Sequence, residues 1–285
     1  MTAKSVPAID ANFGVAVEVS PKIPKLMYRN PFVPYEWPDL RPTRKRYLRF
    51  MPNILEEPSL ALFQRQWRLY RKVVDNNYLF HREAYAQLHQ ILVDESSRPF
   101  RFLDIACGDA RATAGALKGT RLAHYHGIDL CQAALNLAAD ALAMLGCPIM
   151  LEQRDFIEAL QGWSQPVDVA WIGLSLHHLP APAKLTLMRM VRRIVGGHGL
   201  FLIYEDTSPD GEDRTAWLRR WDCQKPFWTA LTLEEWDAIT AHVHTADFPE
   251  TISRWRSLGH EAGFSRVRQL FVAPTNLFRM YCFQA

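Results

Sequence analysis

One segment constrains this chain more than any other: residues 101–111, RFLDIACGDAR. The run Phe102-Leu103-Asp104-Ile105 reads as a short buried strand over 101–105. It enters a turn without bulk, Ala106-Cys107-Gly108, and helix-forming residues follow over about 109–118. A carboxylate at a strand end beside such a turn lets a ligand lie against backbone. The unpaired N–H groups of the following helix face the same spot.

Downstream, apolar strands alternate with helices. Strands are expected at 101–105, 125–129, 149–153, 167–172 and 199–204. Helices are expected at 109–118, 131–145, 156–162 and 182–195. Apolar strands separated by helices make a parallel sheet covered on both faces. The rhythm stops after the fifth strand. Residues 205–248 hold a polar segment, a Trp/Arg-rich helix and LTLEEWDAITAHV, an insertion over the sheet's C-terminal edge. A helix over 249–262 and the turn Ala262-Gly263-Phe264 lead to strands at 266–273 and 277–284. Their short connection, Ala273-Pro274-Thr275-Asn276, makes them antiparallel. The fold expected is α/β, a Rossmann-like doubly wound sheet that is mostly parallel, with a C-terminal antiparallel hairpin and an N-terminal helical cap.

Residues 1–58 carry nine of the chain's 18 prolines, interleaved with Phe32, Tyr35, Trp37, Tyr47 and Phe50. That spacing breaks helices, while the aromatics argue for an extended arm lying on the body. Inside it, Arg41, Arg44, Lys45, Arg46 and Arg49 form a basic run. It reads as a solvated face, or as a contact for an anionic substrate, an acidic partner or RNA. Residues 59–98 form the cap. On its second helix Tyr78, Arg82 and Tyr85 share one face. The domain plan is an arm at 1–58, a cap at 59–98, and a main domain at 99–285 with a lid at about 205–248.

Composition bounds the function classes. A net charge of +3 is too mild to argue for nucleic acid. Five scattered cysteines without a CxxC pair suggest neither a zinc knuckle nor a redox pair, and they fit a reduced, cytoplasmic setting. The N-terminus lacks a signal-peptide pattern, and no apolar run reaches the length of a membrane span. Nothing in the sequence specifies an oligomeric state.

An open parallel sheet binds its ligand beyond the carboxyl ends of its strands. Those ends carry Asp104-x-Ala106-Cys107-Gly108-Asp109, then Asp129, then Asp155-Phe156, then Leu176-His177-His178-Leu179-Pro180. This ordered set resembles the class I S-adenosylmethionine-dependent methyltransferases over roughly 76–204 and 250–285. Ala106 and Ala110 stand where glycines are common in that family. A nicotinamide-dinucleotide fingerprint would need glycine at 106, 108 and 111, and the chain has Ala106, Gly108 and Arg111.

The resemblance implies S-adenosyl-L-methionine as cofactor and a role for each matched position. Ala106 and Gly108 would let backbone approach the methionine part. Asp104 would accept from the cofactor's amino group, and Asp129 from both ribose hydroxyls. Leu130 would pack on adenine. Asp155 would accept from the adenine amine, with the Phe156 N–H serving a ring nitrogen. Backbone at Ile172 and Gly173 would line the methionine side. Tyr78 or Arg82 would meet the cofactor carboxylate. Asp104, Asp129 and Asp155 are each also read as ordinary caps.

The fourth strand is followed by Gly173-Leu174-Ser175-Leu176, not by the Pro-rich segment of base-methylating relatives, so nucleic acid is disfavoured as acceptor. The Leu-His-His-Leu-Pro form is similar to enzymes that methylate a small-molecule O, N or S acceptor. His177 is the first candidate for a base and His178 the second. Glu205 and Asp206 would bind a cationic or hydroxylated acceptor, or would be solvated loop acids. No metal site is expected, because adjacent histidines diverge on most backbones, as do His242 and His244 on a helix. The alternative function is a non-catalytic scaffold acting through the arm and the basic run.

Overall fold

The computed structural model describes residues 17–19, 58–96 and 98–285, with side chains described from residue 67 onward apart from residue 97. The basic run at 41–49 and nearly all of the proline-rich arm lie outside the described residues.

Two helices come first, α1 (Pro58–Asp75) and α2 (His81–Glu95). The alternating part follows as β2 (Phe100–Ile105), α3 (Arg111–Leu117), β3 (Leu122–Asp129), α4 (Gln132–Leu142) and β4 (Ile149–Gln153). It continues through α5 (Phe156–Gln161), β5 (Val169–Gly173), α6 (Ala181–Ile194) and β6 (Leu200–Ser208). Helices α7 (Arg214–Asp222) and α8 (Leu233–Ala246) form the insertion. The chain closes with β7 (Glu250–Thr251), α9 (Ile252–Glu261), β8 (Arg266–Val272) and β9 (Phe278–Gln284).

Among the described residues the sheet runs β1-β4-β3-β2-β5-β6-β9-β8, where β1 is Val17–Val19, and β7 pairs with β6. Antiparallel pairing among these strands is made by β9, which runs opposite to both β6 and β8. The expected α/β Rossmann-like architecture is therefore the observed one, and the order reverses between β2 and β5. Both faces are covered by packed side chains. Leu88, Phe102, Tyr125 and Trp171 belong to one core, while Leu103, Ile172, Leu187 and Phe201 belong to the other.

Two local expectations are corrected. The arm contributes a strand, β1, in parallel register with β4 (Val17 opposite Ile149). The fifth expected strand does not stop at Tyr204; it runs to Ser208 with every residue buried. The reason is pairing on both sides of the sheet's end. Glu205 lies opposite Arg279 and Asp206 opposite Phe278 in β9, and Thr207 lies opposite Glu250 in β7. Glu205 and Asp206 are thereby buried strand residues, not solvated loop acids.

The lid is tied to the cap. Four tryptophans, Trp217, Trp221, Trp228 and Trp236, are buried against one another. Tyr78 stacks on Trp228 at 4.7 Å and its hydroxyl accepts from the Ala230 N–H. Lys72 pairs with Glu235 at 2.7 Å. Phe227 stands apart from this cluster and is exposed.

Candidate active site

A cavity of about 410 Å³ lies beyond the carboxyl ends of β2, β3, β5 and β6, roofed by α1, α2, α7 and α8. At one end stands the turn after β2. Ala106, Gly108 and Ala110 all have positive φ (58°, 56° and 49°), a region that disfavours side chains bearing a Cβ. Glycine's freedom is used at 108, and the alanines at 106 and 110 adopt the same handedness at a cost. A Cβ built on Gly108 meets nothing within 4 Å, so the space beside this backbone is open. The turn is pinned by the Cys107 N–H donating to the Ile128 carbonyl.

Asp129 lies on the cavity wall beside that turn. Its two oxygens accept from the N–H groups of Gly108 (2.9 Å) and Cys131 (2.8 Å). Each oxygen keeps a further lone pair for a ligand. Asp104 sits deeper, 1% exposed and off the wall, accepting from the Tyr125 hydroxyl at 2.7 Å. Burial drives its carboxyl up to about 7 against the hydrogen bonds from Tyr125 and Thr113, with Asp129 adding repulsion.

The other expected cofactor positions divide. Gly173 lines the cavity, while Ile172 beneath it is core. Leu130 is an exposed apolar residue outside the cavity lining. Asp155 caps α5, accepting from the N–H groups of Ile157 and Glu158, and Phe156 packs into the core under that helix. Tyr78 and Arg82 do not reach the cavity. Tyr78 is spent on the lid, and Arg82 faces a separate groove beside α3 with Arg71 and Arg111. The cavity is lined instead by Tyr70 of α1 and by His81 and Tyr85 of α2, while Tyr78 lies in the connection between these helices.

At the opposite end stands a polar cluster. The chain leaves β5 through Leu174, at φ 52°, into the short turn Leu176–His178. One carboxylate organises this turn: Glu205 accepts from the N–H groups of Ser175 and Leu176 (both 2.7 Å), from that of His177 (3.2 Å) and from His177 Nδ1 (2.8 Å). The rings of His177 and His178 meet, with centroids 4.1 Å apart, and the His242 ring lies 5.1 Å from that of His178. All three converge on Asp247 Oδ1, at 3.8 Å from His177 Nε2, 3.3 Å from His178 Nδ1 and 3.7 Å from His242 Nε2. Adjacent histidines thus do converge here. His244, two residues along α8, diverges as expected and bonds Asp222.

Long-range contacts hold Asp247 in place. Arg214 donates to its carbonyl at 2.7 Å, the Phe248 N–H donates to the His177 carbonyl, and the fully buried Lys184 bridges Phe248 and Glu250. Burial alone would lower the His177 imidazole, but the carboxylates of Asp206, Asp247 and Glu205 overcome it and raise the group to about 10. The same burial holds His242 down to about 4. Asp206 is raised well above its ordinary value, by burial first.

Asp247, Tyr70 and His81 line the cavity and were not singled out by sequence reasoning, whereas Tyr85 was placed on a helix face without a role and His242 was weighed as a metal ligand and set aside. Two polar residues, His242 and Asp247, at the end of an otherwise tryptophan-rich lid were the available signal.

Known proteins share this fold. Residues 102–199 match the family described as methyltransferase domain. No curated protein sequence matches the chain. Among solved structures, magnesium protoporphyrin IX methyltransferase from Synechocystis, with bound SAH, superposes at TM-score 0.52 and 12% identity, over 79% of this chain and 94% of that one. An O-methyltransferase family 2 protein from Planctomyces limnophilus, in complex with apigenin, gives 0.51 and 15%, over 76% and 61%. A neighbour from Nostoc punctiforme gives 0.50 and 15%, over 71% of this chain, which spans 57% of that protein's length. At such identities the likeness is one of fold.

Proposed function

From a chain that carries a class I methyltransferase domain, we propose an S-adenosylmethionine-dependent enzyme that methylates an oxygen, nitrogen or sulfur of a small molecule. The observation that carries this reading is the two-ended cavity. The glycine turn and Asp129 stand at one end and the histidine–carboxylate cluster at the other, with Gly173 backbone between them.

The residues at the first end fit the cofactor. Open space beside Gly108 admits its methionine part against backbone. Asp129 accepts from the ribose hydroxyls with the lone pairs its backbone bonds leave free. Leu130 offers an exposed apolar face to the adenine, and Asp155 and Phe156 follow β4, the strand beside β3. Asp104 acts from beneath the turn, meeting the amino group through the turn or through water. The cofactor, when bound, supplies an activated methyl on a sulfonium. The chain has to align the acceptor with it and exclude water.

At the second end His178, half-exposed into the cavity and leaning on Asp247, is better placed than His177 to take a proton from the acceptor. His177 is walled in by Glu205, Asp206 and Asp247 and serves to hold the turn. The tryptophan lid gives an apolar wall through Trp221 and Trp228, which suits a flat or apolar acceptor.

Isothermal titration with S-adenosylmethionine tests the reading, followed by mass spectrometry for methylated products in a metabolite pool. Saturable binding and a mass gain of one methylene equivalent are expected. No heat and no thermal shift at millimolar cofactor would leave only a binding scaffold.

A further inference from the structure

We propose that His177, His178 and Asp247 form a site for a divalent transition-metal ion of the zinc class, with its open position facing the acceptor end of the cavity. One ligand atom from each of these three residues lies within 4.8 Å of the others. Ligands bound tetrahedrally at about 2.0–2.1 Å are separated by roughly 3.3 Å. Asp247 Oδ1 lies 3.3 Å from His178 Nδ1 and 3.8 Å from His177 Nε2, close to that spacing before any ion draws them together.

Two further observations point to a cation. Asp247 Oδ1, on a residue 4% exposed, makes no hydrogen bond of good geometry although three imidazoles face it, and the buried His178 Nδ1, 3.3 Å from it, makes none either. Asp206 Oδ2, nearby and also buried, has none either. A buried carboxylate oxygen lying 3.3–3.8 Å from three ring nitrogens is placed to share a cation with them in the same way that it faces the charged His177 ring.

Glu205 supplies the orienting partner that metal-bound histidines require. Its bond to His177 Nδ1 places the proton there and leaves the lone pair on Nε2, the nitrogen that faces Asp247. Its other contacts, three backbone N–H groups, fix the carboxylate that does this. His242 Nε2, 3.7 Å from the same Asp247 oxygen, stands where a fourth ligand or a gate to the open position would be. Two imidazoles and a carboxylate suit zinc-class ions better than magnesium or calcium, which prefer oxygen shells.

The ion's role, though not its binding, rests on the methyltransferase reading. With the ion bound, His178 Nδ1 is a ligand and no longer the proton acceptor, and an acceptor hydroxyl or thiol at the open position would give up its proton to solvent more readily. Its oxygen or sulfur then forms the bond to the methyl carbon as the carbon–sulfonium bond breaks, leaving a neutral thioether on the cofactor.

The test uses the full chain, stripped with chelator and titrated with Co²⁺, whose visible bands report ligand geometry, and then displaced with Zn²⁺. One equivalent of Co²⁺ with intense tetrahedral-type bands is expected. His178→Ala and Asp247→Asn should each weaken it at least tenfold, while S-adenosylmethionine affinity and the circular dichroism spectrum stay unchanged. Absent stoichiometric binding, or equal binding by wild type and both variants, overturns the site. If Asp247→Asn misfolds, the half-exposed His178→Ala decides alone. Metal binding without cofactor binding would instead remove the methyltransferase reading and leave the metal site standing.

Discussion

The two ends of the cavity are made in different ways. At the glycine-turn end, three consecutive residues and Asp129 at the next strand tip present mostly backbone, and their geometry is set by local φ and by two hydrogen bonds to one carboxylate. At the histidine end, side chains from three separated segments, 177–178, 205–206 and 242–247, meet around buried charge. The first end is a property of one strand–turn–helix unit. The second exists only after β6, β7 and the lid have packed. A ligand that every relative shares can be held by the local device, whereas an acceptor that varies is met by the assembled one.

The largest effect expected is at the assembled end. His178→Ala should lower turnover by about 10²- to 10⁴-fold, the usual contribution of a positioned proton acceptor, and leave the cofactor dissociation constant near wild type. Steady-state rates and titration calorimetry on the same protein check this. Turnover within a few-fold of wild type would dissolve the functional contrast between the two ends.

Next comes a pH effect that belongs to the glycine-turn end. The buried Asp104 has its folded value raised to about 7, above the ordinary carboxylate value of about 3.9 that it regains on unfolding. The folded state therefore binds this proton more tightly. The stability it contributes is present in full below pH ~4, declines as pH rises toward 7, and is absent above. The amplitude is of order a few kcal/mol. Urea unfolding between pH 4.5 and 8 should show the decline, and Asp104→Asn should make it shallower, leaving the part that Asp206 and His177 contribute. A stability that instead rises monotonically over this window, unchanged in Asp104→Asn, would mean that the carboxylate beneath the turn stays ionised.

The same contrast explains what was legible in the sequence. The strands and their order followed from apolar runs broken by helices, and β4 was placed at its observed bounds. Ala106, Gly108 and Asp129 lie together on the cavity wall, a placement legible in sequence because turn and strand tip are short-range patterns. Glu205 and Asp206 were misjudged as the start of a loop, since polarity alone signals exposure. Only pairing with β9 and β7, distant in sequence, keeps them in the sheet. The convergence of His177 with His178 and Asp247 was illegible for the same reason: a lid segment must fold back and be pinned by Arg214 and Lys184 before it exists. Tyr78 and Arg82 failed differently. Tyr78 lies before α2 (His81–Glu95) and stacks on Trp228, Arg82 faces the groove beside α3, and of the three residues grouped by periodicity Tyr85 alone lines the cavity, because periodicity fixes neither where a helix begins nor how it is turned.

A smaller effect is expected from Asp129→Ala, a loss of cofactor affinity of about 1–3 kcal/mol, the cost of leaving hydroxyl partners unmade. The variant also strips the Gly108 and Cys131 N–H groups of their acceptor, so thermal unfolding must be read beside the calorimetry. Unchanged affinity would take the ribose away from this residue. It would leave Asp129 as a cap that merely shapes the turn.

The smallest change sharpens the comparison most. Gly108→Ala puts a Cβ where nothing lies within 4 Å, so there is no clash to relieve. What remains is the left-handed φ of 56°, worth about 1–2 kcal/mol of stability. The neighbouring Ala106 already tolerates φ 58°, so the fold should survive this cost. If the open space beside Gly108 is where a ligand lies, cofactor affinity should fall by more than stability does, because the new methyl occupies the ligand's place. Equal losses in the two measurements would mean that glycine is there for the turn alone, and the backbone-built end would then owe its shape to folding and not to what it binds.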